Sequence, residues 1–337
     1  MVTKFLVVFL TNRLITVKTA DFEKRFHKLL YQTVCPQPNP KYSSLMFDII
    51  VLLLCSVSIV LSTQQPSLTQ MSSTTQDYDL ITPVDESSAL KLSHYSVSGF
   101  YGSTGRPYSA YVAVFPSDRF AFYPSSRSEN GCVELIKTSV ASSQNYDCEY
   151  ATNGAFFGGY PPSYCIGNLV SDSKVWQLPT DGSGTNRANF GILSSGQIVT
   201  GFLNQTTVNT SSFSQLITGW GWLVRNGISN VRASQDLSFG PDGFTYEKAP
   251  RTAVGAFANG TMILLQIDGE EDINAGPDLF ETAELLVKLG VESAVNIDGG
   301  GSSTSVYEGQ VVDQPTCHDT PIICERAVAS IACVKAA

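Results

Sequence analysis

Histidine is scarce and zinc-type cysteine spacing is absent: the 337-residue chain holds three His and eight Cys with no Cys-x-x-Cys pair, and only His318 lies near a cysteine. Structural zinc needs four thiolate or imidazole ligands at close spacing, so the pattern offers no metal site. So few imidazoles also make a Ser-His-Asp triad an unpromising reading, and no Gly-x-Ser-x-Gly elbow presents a nucleophile. No lysine follows a glycine run in the Walker A manner, and Gly219-Trp220-Gly221 lacks the third glycine of a dinucleotide fingerprint, which removes the familiar nucleotide-binding loops. Charge is sparse at 15% of residues, the net charge is -9, and no basic stripe interleaved with aromatics exists, so no nucleic-acid partner is expected. The apolar run Ile49 to Leu61 falls short of the about 20 residues of a comfortable membrane span.

That run has signal-peptide proportions instead. Met46 stands just before it, Val60 and Ser62 supply small residues ahead of a cleavage point, and residues 1–45 carry seven Lys or Arg against two acids. We therefore expect the natural start at Met46, a signal peptide over residues 46–62 and a non-native extension over residues 1–45. If translation begins at Met1, the same segment becomes a signal anchor with residues 1–45 in the cytoplasm, the one route by which a membrane becomes a partner. Both readings send the bulk of the chain into the secretory-pathway lumen. Cysteine usage agrees: Cys132, Cys148, Cys165, Cys317, Cys324 and Cys333 follow the cleavage point, an even set suited to three bridges in an oxidising compartment. Proximity pairs Cys317 with Cys324, and spacing alone leaves the other four open. Sequons at Asn204, Asn209 and Asn259 fit the same compartment, and the first two, in a polar stretch, read as an exposed loop.

Residues 63–89 are rich in Ser, Thr and Gln and bury too little apolar surface to offset ordering entropy, so they read as a linker. Residues 90–337 read as one catalytic domain. Short apolar or alternating runs at Tyr108 to Phe115, Phe120 to Tyr123, Phe190 to Leu193, Gln197 to Phe202, Gly221 to Arg225, Arg251 to Phe257, Met262 to Asp268 and Ser293 to Ile297 predict strands. Asn226-Gly227 and Asn259-Gly260 fall between such runs as hairpin turns. Asp278 to Leu289 predicts a helix: Asp278 caps it, Glu281 completes a capping box, and Gly290 stops it. The fold class expected is α+β, with mixed sheets rich in short strands, few helices, disulfides, and one β-α-β unit over residues 262–297 whose crossover lays its two strands parallel.

The richest chemistry lies in Asn296-Ile297-Asp298-Gly299-Gly300-Gly301-Ser302-Ser303. Three glycines after a strand and an acid let peptide N–H groups converge on an anion and let a ligand approach bare backbone. The β-α-β unit brings Asp268 and Asp298 to one sheet edge, where the two carboxylates can divide acid and base work. Arg251 opens a strand and its fork suits a phosphate oxygen pair. Asn153-Gly154-Ala155-Phe156-Phe157 is a second turn, whose amide suits a sugar hydroxyl and whose Phe156 suits a sugar ring, with a core-lined hairpin as the plain alternative. Arg326 is a candidate rim group.

These runs, together with Cys165-Ile166-Gly167-Asn168-Leu169-Val170-Ser171-Asp172, Trp222-Leu223-Val224-Arg225-Asn226-Gly227 and Arg251-Thr252-Ala253-Val254-Gly255, resemble the phosphodiester glycosidase family in order from Leu90 to Val334. The resemblance implies a hydrolase that removes alpha-N-acetylglucosamine from N-acetylglucosamine-1-phospho-6-mannose diesters and exposes mannose 6-phosphate on glycans of lysosomal glycoproteins. With the residue reading above, we expect Asp298, Arg251 and Asp268 as catalytic, and Asn153, Gly154, Phe156, Gly299, Gly300, Gly301, Ser302 and Arg326 as substrate-binding, with no cofactor or metal. The resemblance also implies the pairings Cys132 with Cys165 and Cys148 with Cys333, and a Golgi, lysosomal or secreted location. The alternatives are another sugar 1-phosphodiester as substrate, or a lumenal protein that binds glycan or phosphate without catalysis.

Overall fold

The structure, a computed structural model, describes residues 77–84, 91–127, 131–159, 162–178, 187–238, 243–316 and 324–337. The expected extension, signal segment and Cys317 lie outside the described residues. Three antiparallel sheets dominate, and one of them organises the functional edge. Its seven strands lie in the order Ile228–Ser229, Trp222–Arg225, Ser293–Asn296, Arg251–Ala256, Met262–Ile267, Pro107–Phe115 and Ser93–Phe100. Side chains of a strand alternate between faces, and in the central strands Ser293–Asn296, Arg251–Ala256 and Met262–Ile267 both faces are buried. Met262, Leu264, Val254 and Val295 join a core shared with the other two sheets through Phe122, Phe190, Ile198, Phe202 and Ile217. Ile263, Leu265, Ile267, Ala253 and Ala294 meet Leu279, Ala283 and Leu286 of the covering helix.

That helix spans Leu279–Lys288, and Asp278 and Glu281 close the expected capping box by exchanging backbone hydrogen bonds at 2.9 and 3.1 Å. Gly290, at φ 84°, ends it in the left-handed conformation that glycine adopts without penalty. All eight expected strands form, and the fold is α+β. The strands Met262–Ile267 and Ser293–Asn296 run parallel, but they are not neighbours. Arg251–Ala256 lies between them, antiparallel to both. The short Asn259-Gly260 turn is the reason: a tight hairpin places Arg251–Ala256 beside Met262–Ile267, so the returning strand docks on its far edge.

One part of the expected linker is folded. Asp77–Ile81 is a strand paired with Ile198–Phe202 at the edge of the six-stranded sheet. Composition there looked like a tether because its ordering comes from charge: Arg225 clamps Asp79 at 2.7 Å and Asp77 at 2.8 and 2.9 Å. The paired sequons are not in an open loop either. Asn204 caps a helix, Gln205–Thr210, by accepting from Thr207 N at 2.8 Å, whereas Asn209 and Asn259 are exposed.

Bridges Cys132–Cys165 and Cys148–Cys333 are present, as the resemblance implied, and Cys324 is also disulfide-bonded. Cys148–Cys333 ties residues 185 apart in sequence and Cys333 is fully buried. Loop-closure entropy is then lost from the unfolded chain, which stabilises the fold by about 2–5 kcal/mol. Replacing both cysteines by Ser is expected to lower Tm by roughly 5–15 °C in calorimetry; an unchanged Tm would contradict this contribution. Among the described residues no helix is long and apolar enough to cross a membrane.

Candidate functional site

Antiparallel register sets the first contact. Arg251 pairs with Ile267 and Ala253 pairs with Asn296, so the start of Arg251–Ala256 meets the chain leaving Ser293–Asn296 at one sheet edge. The glycine turn is stitched to that start. Gly300 N–H donates to Pro250 O at 2.8 Å, and a Cβ on Gly299 would press on Pro250 O at 2.9 Å and reach 3.7 Å from Arg251 Cα. Arg251 and the triple glycine are therefore brought together, as expected.

The Arg251 guanidinium is 1% exposed. Its Nη2 donates to Glu247 O at 2.8 Å and Phe244 O at 3.1 Å, its plane lies 4.4 Å from the centre of the Phe244 ring, and its Nε has no hydrogen-bond partner. Burial pulls its pKa down to about 10, against the opposing charges of Glu247, Glu271 and Asp278, so it stays cationic throughout the neutral range. A buried cation with an unspent donor is suited to an anionic ligand. Arg251→Lys keeps the charge but replaces a planar fork, whose Nη2 holds Phe244 O and Glu247 O while Nε sits at a separate position, by a single ammonium. We expect it to lower kcat/KM for a phosphodiester by roughly 10²-fold, and steady-state kinetics checks this.

Gly300 carries φ 56°, and a Cβ there would collide with Glu271 Oε1. The left-handed backbone favours glycine there, and a side chain would also push the Glu271 carboxylate aside. The expected nest of three N–H groups is reduced to two. Gly300 N–H is used by Pro250, while Gly299 and Gly301 N–H make no backbone hydrogen bond among the described residues.

From Ile297 to Val306 only Asp298 escapes full burial. Its main chain is pinned on both sides: its N–H donates to Gly154 O at 3.0 Å, and its C=O accepts Asn153 Nδ2 at 2.6 Å. Asn153, expected at a sugar hydroxyl, is engaged here as an internal clamp. It is fully buried, and its Oδ1 accepts from Thr252 Oγ1 at 2.9 Å and Thr304 N at 3.3 Å. Gly154 is likewise a packing glycine, since a Cβ would stand 2.7 Å from Ser330 Oγ and 2.9 Å from Ser330 C. Ser302 is 1% exposed and its Oγ accepts from Arg326 Nη1 at 3.4 Å, so the rim arginine does reach the glycine turn.

Phe156 keeps partial exposure beside two aromatics that the sequence did not single out, Trp220 at 5.4 Å and Phe244 at 5.9 Å between ring centres. Trp220 N–H donates to Asn296 O at 2.8 Å, so this aromatic patch borders the same edge. Glu271 was also missed, although Glu270-Glu271-Asp272 follows directly on a strand end. Asp268 stands apart from Arg251. Its neighbour Gln266 pairs with Thr252, which places it on the sheet face opposite Arg251, and its contacts are Gln266 Nε2 at 3.3 Å and Gln314 N at 3.4 Å.

A family model described as phosphodiester glycosidase matches residues 146–335. N-acetylglucosamine-1-phosphodiester alpha-N-acetylglucosaminidase from Homo sapiens and from Mus musculus are each 35% identical over 218 residues, 60% of this chain and 41% of theirs. The chain thus spans about two fifths of the length of the curated relatives it matches. The solved catalytic domain of zebrafish N-acetylglucosamine-1-phosphodiester alpha-N-acetylglucosaminidase, auto-inhibited by pro-peptide, superposes with a TM-score of 0.66 at 26% identity over 77% of this chain and 88% of that one. With its matched region holding the clamp, the arginine and the glycine turn, the chain belongs to the phosphodiester glycosidase family.

Proposed function

We propose that this chain hydrolyses sugar 1-phosphodiesters at the Arg251 and Asp298 edge, releasing alpha-N-acetylglucosamine from N-acetylglucosamine-1-phospho-6-mannose on lysosomal glycoprotein glycans and exposing mannose 6-phosphate. The observation that carries the reading is the convergence of a buried guanidinium with an unspent Nε and a glycine turn overhung by Glu271. The names of the human and mouse relatives support the choice of sugar. The reaction breaks the bond between sugar C1 and the phosphate oxygen. Water adds to C1, its proton passes to a carboxylate, and the phosphate leaves with the bonding pair as a monoester.

A phosphate monoester leaves readily as an anion, so stabilising its charge matters more than protonating it. Arg251 Nε and the N–H groups of Gly299 and Gly301 supply that stabilisation. Asp298 activates the water or shelters the developing oxocarbenium, and Glu271 serves as the second carboxylate. Phe156, with Trp220 and Phe244, offers the apolar face on which a pyranose ring stacks. Substrates of this kind place the enzyme in the secretory-pathway lumen, Golgi, lysosomal or secreted.

Purified protein incubated with a panel of 1-phosphodiesters differing at the sugar 2-position tests the reading. Release of N-acetylglucosamine in preference to glucose is expected. Preference for another sugar would change the substrate within the family, and tight binding without turnover would replace the enzyme by a lectin-like protein.

A further inference from the structure

We infer that Asp268 and Asp313 form a second site, a buried oxygen pocket on the sheet face opposite Arg251 that holds a hard divalent cation of the calcium class. Asp268 ends the strand Met262–Ile267, and the chain after Gln310–Val311 folds back over it. Gln314 N donates to Asp268 Oδ1 at 3.4 Å and Thr316 Oγ1 donates to Gly269 O at 3.4 Å, which seats Asp313 beside Asp268. Asp313 is 8% exposed, and neither of its carboxylate oxygens has a hydrogen-bond partner of normal geometry.

Three neutral side chains add to the deficit. Gln266 donates its Nε2 to Asp268 Oδ1, and its own Oε1 is buried without a partner. Tyr150 Oη faces Ser305 Oγ, on residues 1% and 0% exposed, and neither has a partner outside this pair. Tyr150 feels the charge of Asp313, and Tyr111 that of both carboxyls, so these groups face one another. The strongest charges acting on Asp313 are Asp268 and Glu325, both negative. Burial raises both carboxyls above the usual range.

Internal water would satisfy the hydrogen bonds but not the charge, and a single proton would neutralise one carboxylate while leaving the other charged and buried, with Glu325 adding to the negative potential at Asp313. A cation that takes six to eight oxygens satisfies both needs, with water completing the shell. The described residues hold no cluster of three or more His, Cys, Asp or Glu able to cage a metal, so two carboxylates with neutral oxygens define a site of modest affinity, roughly 10⁻⁴–10⁻³ M, the range of extracellular modules. A cleft of about 230 Å³ lined by His94, Tyr111, Tyr150 and Val312 borders the cluster and gives ions a route to it.

Thermal unfolding of the full chain in 10 mM CaCl₂ and in EDTA tests the site, independently of any hydrolytic activity. Calcium is expected to raise the wild-type Tm by about 3–10 °C. Asp313→Asn removes that shift, and because it relieves a like-charge pair it is at least as stable as wild type in EDTA, so the order of the two proteins reverses between the buffers. Equal wild-type Tm values in the two buffers overturn the proposal in favour of a proton or water. A shift that persists in both Asp313→Asn and Asp268→Asn places the calcium elsewhere and also overturns it. If neither variant folds, calorimetric titration of CaCl₂ into EDTA-stripped wild type decides: one site per chain supports the pocket, and no binding refutes it.

Discussion

Asp298→Asn is expected to lower kcat on an N-acetylglucosamine 1-phosphodiester by roughly 10²–10⁴-fold, the usual worth of a carboxylate that moves a proton or meets developing positive charge. The fold is expected to survive. Asp298 is held through its main chain, by Gly154 O and Asn153 Nδ2, and the amide is isosteric with the acid, so neither bond depends on the substitution. Tm is then expected to stay in the folded range of the wild type, because both main-chain anchors are kept. Kinetics and thermal unfolding of the same preparation separate the two effects. Retained kcat would remove Asp298 from the chemistry.

Gly300→Ala carries the second large effect, and its cause is steric. At φ 56° an L-residue costs roughly 1–2 kcal/mol, and the added Cβ collides with Glu271 Oε1. We expect a fall in Tm of several degrees and a loss of activity of roughly 10²-fold or more as Glu271 is displaced. The double variant Gly300→Ala with Glu271→Ala separates strain from chemistry. Removing the carboxylate relieves the collision and restores Tm except for the backbone cost, while activity stays low. Full recovery of activity in the double variant would show that Glu271 has no part in the reaction.

Local structure was legible because it is local. Alternating runs marked the strands, Asn259-Gly260 marked the hairpin, and Asp278 with Glu281 marked the helix start. The order of strands was less legible: the parallel relation of Met262–Ile267 and Ser293–Asn296 followed from the crossover, but the strand between them followed from the hairpin. Asp268 was placed with Asp298 because both end strands at one edge. A sheet buried on both faces reads as continuously apolar, so the run Met262 to Ile267 gave no sign of which way each residue faces. Asn153 shows the same limit at a motif. An amide before Gly-Ala-Phe-Phe has identical sequence whether it binds a sugar or clamps Asp298 O and Thr252, and only the neighbouring strands distinguish the two. Glu271, Trp220 and Phe244 come from three separate segments, two turns and the short helix Gly243–Tyr246, so no spacing in the chain could have grouped them.

Family membership and the Arg251 edge meet in one chemical question, which bond of the diester breaks. Hydrolysis of an N-acetylglucosamine 1-phosphodiester in ¹⁸O-labelled water, with mass spectrometry of both products, answers it. The label is expected in the released sugar, because water adds to C1 while the guanidinium and the glycine N–H groups hold the departing phosphate. Label in the phosphate would mean attack at phosphorus and would contradict the account.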